Sequence, residues 1–469
     1  MSLFYTVLIL GGYALIVWII TFFYVKRANT KDSFLLAGRE VGMIKGAISI
    51  AASWVWAPAL FVASQQAYQN GWVGVFWFSV PNILCLILFA PFAEKLRRVI
   101  PQGYTLTEYI RSRYSKRVHG MYMFQMLGLS VCGIAVQLLA GGLAVSAITG
   151  ISLFWTTVIL GIIAISYVLF SGLKASIATD ILKMVLILAI GLTVIPIAVY
   201  RSGGIVNLIS GFGGISGNFT SLIDQYGQLV FLTFGLSTTI GLLSGPFGDQ
   251  TYWQRAFSIK KHLVKKSFII AAFLFAIVPL TMSLLGFASA GMGFVTKNPN
   301  TINIQTVQNV LPSWVLIPFT WMLIAGLIGV VDNFLMAISS LINNYQEKKS
   351  IKLSKAVIPL ALILGLVIAN IPNMQVLYLF MFYGTLRAST FLPTVITLIR
   401  SDKYVSEKGM FLGILLAIMV GLPIFAYGNL YKITPMIWGG SLITIFLSAG
   451  SVGLLTLIDK PKNIKIVTK

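Results

Sequence analysis

The chain has 469 residues, of which 57% are hydrophobic and 10% are charged, and its formal net charge is +22. This composition excludes a soluble globular protein, because such a protein needs a polar exterior. It also disfavours a nucleic-acid-binding protein, since no basic block is interleaved with aromatic residues outside the apolar segments; basic residues beside such segments are typical of contacts with anionic lipid headgroups.

Apolar segments of helix-spanning length follow one another along nearly the whole chain. In hydrocarbon, a run of about 20 apolar residues satisfies its own backbone only as a helix. The sequence therefore predicts an all-α, multi-pass membrane protein with thirteen transmembrane helices. They lie roughly at residues 3–25, 41–68, 72–94, 119–147, 152–170, 176–200, 228–250, 267–292, 313–345, 354–371, 375–399, 409–428 and 435–458.

Lys and Arg residues are concentrated on alternate connections between these segments, including Lys26, Lys348 and Lys460. The opposite connections carry only Arg201, Lys297 and Lys432. Because basic loops stay cytoplasmic, this asymmetry predicts a plasma (inner) membrane protein with its N-terminus outside and its C-terminus in the cytoplasm. The connections 95–118 and 251–266 are then cytoplasmic, and 201–227 and 293–312 lie outside.

The sequence gives no indication of enzyme chemistry. No metal-ligand spacing and no nucleophile–base pair is visible, so we expect neither an enzyme nor a cofactor. Cys85 and Cys132 both lie inside apolar segments, which favours packed thiols over a disulfide. The expected partners are a small-molecule substrate and membrane lipids, with no nucleic acid. A monomer is compatible with the sequence, which specifies no oligomeric state.

Two of the predicted helices contain interruptions. The second includes Ala51-Ala52-Ser53-Trp54-Val55-Trp56-Ala57-Pro58-Ala59, in which Pro58 removes a backbone donor and disfavours helix before it. The seventh ends in Ser244-Gly245-Pro246-Phe247-Gly248-Asp249-Gln250. A packed proline kink is one interpretation. The other is a secondary transporter, because each interrupted helix begins a run of five helices and the two runs have opposite directions.

Several segments carry a resemblance to the sodium:solute symporter family over essentially the full chain. They are Phe34-Leu35-Leu36-Ala37-Gly38-Arg39, Thr105 to Ile110 with Arg113-Tyr114, Ser171 to Ala175 with Thr179-Asp180, Asp249-Gln250 with Gln254-Arg255, and Asp332 with Ala337 to Ser340. The resemblance implies a five-plus-five inverted-repeat core with one helix before it and two after it. The implied divisions are 1–40, a first repeat at 41–200, an outer loop at 201–227, a second repeat at 228–400, and two C-terminal helices with a tail at 401–469.

Within this family, the stretches 53–57, 68–71 and 249–255 look most similar to the urea transporter, or urea–proton symporter, branch. Pro58 and Ala59 stand where sugar-carrying members have an acidic pair. The resemblance therefore disfavours a sugar substrate.

The family's sodium site is matched incompletely. Its carbonyl ligands map to about Ala52 and Val55, and its hydroxyl ligands map to Gly329 and Val330, which have no side-chain oxygen. A hard cation requires about five or six oxygen ligands, so sodium coupling is in doubt and the site is a vestigial one.

Lys183 follows Asp180 by three residues and shares its helix face. Its ammonium either fills the space of a sodium ion or extends to the cytoplasmic headgroups. Asp332 is the third candidate coupling residue, because ionisable groups at membrane depth are costly and usually functional. Arg387 is a plausible counter-ion of Asp332 or an anchor for a substrate carboxylate; a structural ion pair is the alternative for both.

The substrate site is expected near the membrane midplane, where the interrupted helices meet. Neutral hydrogen-bonding groups beside aromatic rings suit a small polar solute, although each amide or hydroxyl could instead join neighbouring helices. Besides Arg387, the candidates are Trp54, Trp56, Gln65, Gln66, Gln125, Gln137, Ser237, Thr238 and Thr239.

These features predict a secondary active or facilitative transporter working by alternating access. The first hypothesis for its substrate is urea or a related amide, with proton coupling or no ion coupling. One alternative is a sodium-coupled symporter of an amino acid or carboxylate. A second, of another class, is a membrane receptor with a transporter fold.

Overall fold

The protein is described by a computed structural model that covers residues 3–25, 30–345 and 351–459. Part of the predicted charge pattern, including Lys26, Lys348 and Lys460, lies outside the described residues. Within those residues the chain is almost entirely helical, and its one strand-like contact is a parallel bridge between Val41 and Ile259.

The α-helices follow one another with short connections. In chain order, those of the described residues are α1 (Leu3–Val25), α2 (Lys31–Leu36), α3 (Met43–Trp54), α4 (Ala57–Leu60), α5 (Val62–Val99), α6 (Leu106–Arg113), α7 (Lys116–Thr149), α8 (Leu153–Arg201), α9 (Gly204–Ser210), α10 (Gln225–Val230), α11 (Leu236–Leu243), α12 (Gly245–Gly248), α13 (Gln250–Ser258), α14 (Val264–Gly291), α15 (Ile302–Val310), α16 (Leu316–Tyr345), α17 (Ile351–Ala369), α18 (Val376–Ile399), α19 (Glu407–Leu416), α20 (Leu422–Tyr431) and α21 (Thr434–Ile458). Short π-helical stretches at Phe231–Gly235 and Ala417–Gly421 join α10 to α11 and α19 to α20.

Eight helical segments of the described residues are long and apolar enough to cross a membrane. They are Val62–Val99, Lys116–Thr149, Gly172–Arg201, Gln225–Leu243, Lys261–Gly291, Ser313–Asn343, Glu407–Tyr431 and Thr434–Ile458. Four shorter apolar helices accompany them, at Val7–Ile19, Leu153–Leu169, Gly204–Gly213 and Lys355–Ala369. The chain is therefore an integral multi-pass membrane protein, and the count of thirteen crossings stays a prediction.

Glycines in the left-handed region divide the two longest helices. Gly71, with a φ of 55°, bends α5, and Gly172, with a φ of 64°, bends α8. A Cβ at Gly71 would lie 2.6 Å from the carbonyl oxygen of Phe212, so a larger residue could not pack there. Both bends fall between segments that the sequence predicts as separate helices.

The first predicted interruption is confirmed. Helix α3 ends at Trp54, Val55 and Trp56 leave the helical conformation, and α4 begins at Ala57. Pro58 lies in the first turn of α4, where its missing N–H costs no helical hydrogen bond. The second interruption is centred on Asp249, whose φ of −114° and ψ of 116° are extended.

The prediction of a loop at 251–266 is wrong for its first half. Residues 250–258 form α13, and every one of its side chains is buried. Trp253, which the sequence would also allow at the membrane interface, is fully buried; its indole donates to the carbonyl of Phe247 over 2.8 Å. The polar residues of α13 lower its hydropathy, but they contact buried partners instead of water.

Connections that the sequence assigns to one face of the membrane contact one another. At the basic end, Arg39 donates to the carbonyl of Gln102, and Arg113 donates to that of Arg400. At the opposite end, the N–H of Ile215 donates to the carbonyl of Tyr68 over 2.8 Å. The grouping of the loops is thus consistent, while the direction of the N-terminus stays a prediction.

Cysteine labelling tests that direction. Ser112 and Ser216 are exposed at opposite ends, and the free thiols of Cys85 and Cys132 lie within α5 and α7. In sealed right-side-out vesicles, we expect an impermeant maleimide to label Ser216→Cys at least about tenfold faster than Ser112→Cys, because basic loops stay inside. The native chain gives the background, and preferential labelling at position 112 would reverse the orientation.

Candidate functional site

A buried carboxylate, Asp180 on α8, binds two cations. Its Oδ1 lies 2.9 Å from Lys183 Nζ, and its Oδ2 lies 3.0 Å from Arg255 Nη2. The hydroxyl of Ser49 on α3 donates to Oδ2 over 2.7 Å. These groups are at most 3% exposed, so the attraction acts in a medium of low dielectric constant.

Arg255 extends this cluster to a fourth helix. Its Nη2 donates to the side-chain oxygen of Asn333 on α16 over 2.5 Å, and Asn333 in turn donates to the hydroxyl of Ser53 over 3.0 Å. The cluster therefore joins α3, α8, α13 and α16. The sequence predicts that Arg255 lies in a loop, whereas the structure places it on α13, with its side chain buried.

Asp332 lies in the same region, but its hydrogen-bond partners are neutral hydroxyl groups. Tyr167 donates to its Oδ2 over 3.1 Å, and Ser176 is 3.4 Å from its Oδ1. Among the described residues, no Lys or Arg comes within ion-pair distance of its carboxylate. With Asp180, Lys183 and Arg255, it makes a four-charge cluster that is neutral when every member is ionised.

Lys183 is buried and does not extend to the surface. A Cβ at Gly329 would lie 2.4 Å from its Nζ, so the ammonium occupies the space that a side chain at position 329 would need. A cavity of about 10 Å³ lies beside Lys183, Tyr13, Tyr167 and Gly329, which is room for about one water molecule.

Ala52 and Val55, which the sequence analysis assigns to the carbonyl side of a vestigial sodium site, lie at the first interruption. The N–H of Trp56 donates to the carbonyl of Trp54 over 3.1 Å and not to that of Ala52, four residues earlier. The carbonyl of Ala52 therefore does not accept the helical hydrogen bond from Trp56. Val55 and Val330 are both buried.

A second buried ion pair joins Asp249 and Arg387. Arg387 Nη2 is 3.3 Å from Asp249 Oδ2, and the hydroxyl of Tyr383 donates to the same oxygen over 3.0 Å. The expectation that Arg387 is the counter-ion of Asp332 is therefore wrong. Asp249 also accepts from the N–H of Thr251 over 2.9 Å, which caps the start of α13.

Aromatic rings enclose Arg387. Its Cζ lies 5.4 Å from the ring centroid of Trp54, 5.3 Å from that of Trp56 and 3.8 Å from that of Tyr383, all within the range of cation–π attraction. A Cβ at Gly245 would lie 2.4 Å from Trp54 and 3.0 Å from Arg387 Nη1. The glycine of the second interrupted helix thus admits both side chains.

Side chains from other helices satisfy the backbone at the interruptions. The oxygen of Gln137 accepts from the N–H of Ala57 over 2.9 Å, and the hydroxyl of Tyr252 donates to the carbonyl of Ser53 over 3.0 Å. Gln125 donates to the carbonyl of Gly248 over 3.3 Å. Both interruptions are therefore fixed parts of the fold.

The other candidate substrate residues bond within their own helix, bond to a neighbouring helix, or have no hydrogen-bond partner among the described residues. Gln65 donates to Gln69, and Gln66 accepts from Asn70, on the next turn of α5. Ser237 bonds to the carbonyl of Ile437 and accepts from Ser441 on α21, so it joins helices. The side chains of Thr238 and Thr239 make no hydrogen bond among the described residues.

Sequence reasoning missed five residues of this region: Asp249, Tyr252, Arg255, Asn333 and Tyr383. Tyr383 lies one helical turn before Arg387, so helical spacing could have indicated it; Asn333 directly follows Asp332, and adjacent residues do not share a helix face. Asp249 and Arg255 were noted only as parts of a motif. Their burial depends on α13, which hydropathy does not detect.

Several buried hydrogen-bond donors around the first interruption and Arg387 have no partner within the described part of the chain. They are the indole N–H groups of Trp54 and Trp56, the amide NH₂ of Gln137, and Nε and Nη1 of Arg387. A buried polar group without a partner is costly. What these groups lack is an acceptor oxygen. We call this set of donors the donor surface.

Comparison with known proteins identifies the family. The family model described as Sodium:solute symporter family matches residues 34–417, so the chain belongs to that family. Members of this family carry solutes across membranes. At the level of the family, the chain is therefore a transporter of small molecules and not an enzyme.

Two relatives are urea carriers by name. A urea active transporter of Saccharomyces cerevisiae is 26% identical over 94% of this chain and 66% of its own length. A urea-proton symporter of Oryza sativa subsp. japonica is 24% identical over 62% of this chain and 43% of its own. The chain thus spans less than two thirds of the length of these relatives.

Solved transporter structures share the fold. A Na⁺-coupled sialic acid symporter in an outward-open state has a TM-score of 0.78, with 16% identity over 97% of this chain and 98% of its own. A nucleobase-cation-symport-1 family transporter has a TM-score of 0.60, with 15% identity over 92% of this chain and 96% of its own. At this identity the likeness shows the fold alone.

The four-charge cluster predicts a specific pattern of stability. Asp180→Asn or Arg255→Gln alone leaves one uncompensated buried charge, and we expect each to lower the free energy of unfolding by about 3–5 kcal/mol. The double variant is neutral again and should recover more than half of the loss. Tryptophan fluorescence during denaturant titration in micelles measures this.

The partly exposed pair Glu94 and Arg98, 3.1 Å apart, is the matched control. Glu94→Gln and Arg98→Gln should each cost less than about 1 kcal/mol. Strictly additive effects of Asp180→Asn and Arg255→Gln would contradict a shared cluster.

Proposed function

We propose that this member of the sodium:solute symporter family carries urea or a related small amide by alternating access, without a requirement for sodium. The observation that supports the substrate is the donor surface beside the neutral Asp249–Arg387 pair. The observation that supports the coupling is the Lys183 ammonium between Asp180 and Gly329. The two repeats, at 41–200 and 228–400, would move relative to each other during the cycle.

A planar amide matches the donor surface. Its carbonyl oxygen accepts hydrogen bonds from the unpartnered groups of Trp56, Gln137 or Arg387, and its flat face packs against indole rings. Its N–H groups need acceptors, which the carbonyls released at the first interruption offer. The names of the yeast and rice relatives agree with this substrate class.

The charge of the site favours a neutral solute over a carboxylate. Arg387 already pairs with Asp249, so the pair carries no net charge. A bound carboxylate would add one negative charge to a buried region, and an unbalanced buried charge costs several kcal/mol. An amino-acid or carboxylate symporter, the alternative from the sequence, would require Asp249 to release Arg387.

Lys183 supports a transporter whose internal cation is covalently attached. Its ammonium neutralises Asp180 where a sodium ion would otherwise do so, and it lies against Gly329. Proton coupling requires a group that gains and loses a proton during the cycle. Lys183 and Asp332 are the two candidates; if neither titrates, the protein works without ion coupling.

The substrate proposal predicts that one indole N–H matters. Trp56→Phe keeps an aromatic ring but removes a donor. We therefore expect the half-saturation concentration for urea to rise about tenfold, which corresponds to a loss of about 1.4 kcal/mol in binding free energy. Counterflow of labelled urea in liposomes measures it. Trp77→Phe is the control, because its indole N–H is also unpartnered but packs near Gly235 and Phe231.

A solute panel belongs to the same measurement. Acetamide should compete with urea, whereas acetate, alanine and glucose should not. Counterflow of acetate or alanine in the absence of urea counterflow would overturn the amide proposal and favour the carboxylate alternative. Absence of counterflow for every solute of the panel would favour the receptor alternative.

The coupling proposal predicts that replacing Na⁺ by choline at fixed pH leaves the initial rate of uptake within about twofold. A tenfold loss in the native chain would show that a sodium site persists through other ligands. Lys183→Gln removes the internal cation and should abolish pH dependence if Lys183 carries the proton; Asp332→Asn tests the other candidate.

Restoring a sodium site requires a combined change. Gly329→Ser and Val330→Thr add hydroxyl ligands, but a Cβ at Gly329 collides with Lys183 Nζ. We therefore expect sodium stimulation only in the triple variant with Lys183→Gln, and not when Lys183 is retained.

A further inference from the structure

A crevice of about 610 Å³ opens beside the interrupted helix of the first repeat, away from the donor surface. One wall is the segment 37–45, which leads into α3. The other wall is the start of the second half of α8, residues 174–181. The lining residues are Ala37, Glu40, Val41, Gly42, Met43, Ile44, Lys45, Lys174, Ile177, Ala178 and Ile181.

The crevice lies at the basic end of the molecule. Arg39 beside it donates to the carbonyl of Gly103 over 2.8 Å, and the N–H of Val41 donates to the carbonyl of Ser258 over 3.1 Å. Arg39 also pairs with Asp32 over 3.1 Å. Although burial raises the pKa of Asp32, hydrogen bonds from Tyr104 and Arg39 outweigh that effect and hold the pKa below its usual value. The segment before α3 is thus anchored to its neighbours.

Each wall contributes one ammonium group to a lining that is otherwise largely apolar. Lys45 on α3 and Lys174 on α8 are both exposed, and Glu40 is the one acidic residue of the lining. The apolar part of the lining includes Met43 and Ile44 on one wall and Ile177 and Ile181 on the other. This combination matches a ligand that has an anionic group attached to an apolar one.

An apolar track continues from the crevice along α8. Ile177, Ile181 and Val185 follow at four-residue spacing, so they lie on one helix face, and Leu192 extends it by two turns. Val185 is 57% exposed and Leu192 is 51% exposed. In a membrane protein such a face contacts acyl chains, so the crevice is continuous with the lipid-facing surface.

We propose that this crevice is a binding site for an anionic phospholipid. Lys45 and Lys174 bind its phosphate from the two walls, and an acyl chain lies along Ile181, Val185 and Leu192. The charge of the headgroup complements the two ammonium groups, and the apolar track distinguishes a lipid from a free phosphate. Anionic lipids concentrate in the cytoplasmic leaflet, where the charge asymmetry of the loops places this end of the molecule.

The bound lipid would stabilise the present arrangement of α3 and α8. Ser49 lies one helical turn after Lys45, and its hydroxyl donates to Asp180, one turn after Ile177 on the opposite wall. A headgroup that binds both lysines joins these helices next to the four-charge cluster. This site is independent of the identity of the transported solute.

The test compares two pairs of lysines at the same end. Purified full-length chain is titrated with phosphatidylglycerol in phosphatidylcholine nanodiscs or mixed micelles, and the thermal unfolding temperature and the number of bound lipids by native mass spectrometry are measured. We expect Lys45→Gln with Lys174→Gln to weaken phosphatidylglycerol binding at least about fivefold. Lys260→Gln with Lys261→Gln removes two exposed charges outside the crevice and should change it less than about twofold.

Each outcome decides the proposal. Because Lys45 and Lys174 are exposed, the double variant should unfold at the native temperature in pure phosphatidylcholine, so its loss of lipid response reports binding. Equal loss in both lysine pairs would show general surface attraction and overturn the site. Equal stabilisation by inorganic phosphate or glycerol 3-phosphate would show a free-phosphate site, which also overturns the lipid proposal. Val185→Ser should weaken phosphatidylglycerol binding without changing any response to phosphate.

Discussion

The buried charges of this protein must balance, and the arrangement of its central helices depends on that balance. Six Asp, Lys and Arg side chains within the described residues are less than 4% exposed inside the helical core: Asp180, Lys183, Asp249, Arg255, Asp332 and Arg387. Three are acidic and three are basic, although the whole chain carries +22. They form two groups, each neutral when fully ionised. Since a lone charge in such surroundings costs several kcal/mol, removing one member affects every helix that contributes to its group.

The two groups are connected through one short segment of the first interrupted helix. Asn333, which accepts a hydrogen bond from Arg255 of the four-charge cluster, donates to the hydroxyl of Ser53. The backbone carbonyl of Ser53 accepts from Tyr252. Tyr252 packs edge-on against Trp54, with ring centroids 5.0 Å apart, and Trp54 lies beside Arg387. A change at the donor surface therefore has a direct physical route to the Asp180 region. This route is a chain of contacts in one conformation. Energetic coupling between the two sites requires a second conformation whose population both sites shift.

Much of this fold follows from patterns that act locally. Apolar length predicts the long helices, Pro58 predicts the first interruption, and the alternating basic loops predict which connections meet. The site is only partly accessible to such reasoning. The burial of Arg255 and Trp253 depends on α13 packing in the core, which its polar composition hides. The choice of Asp249 over Asp332 as the partner of Arg387, and the direction of the Lys183 side chain, are matters of tertiary distance that helical periodicity does not encode.

The bridge between the segment before α3 and the end of α13 has a mechanical consequence. Val41 accepts from the N–H of Lys260 and donates to the carbonyl of Ser258, both over 3.1 Å. The basic-end halves of the two interrupted helices are thereby tied to each other by their backbones as well as by Tyr252 and Ser53. The helices are interrupted at different places, at Val55–Trp56 and at Asp249, but the two backbone hydrogen bonds oppose independent displacement of the halves. While both hydrogen bonds hold, a tilt imposed on one half is therefore passed to the other.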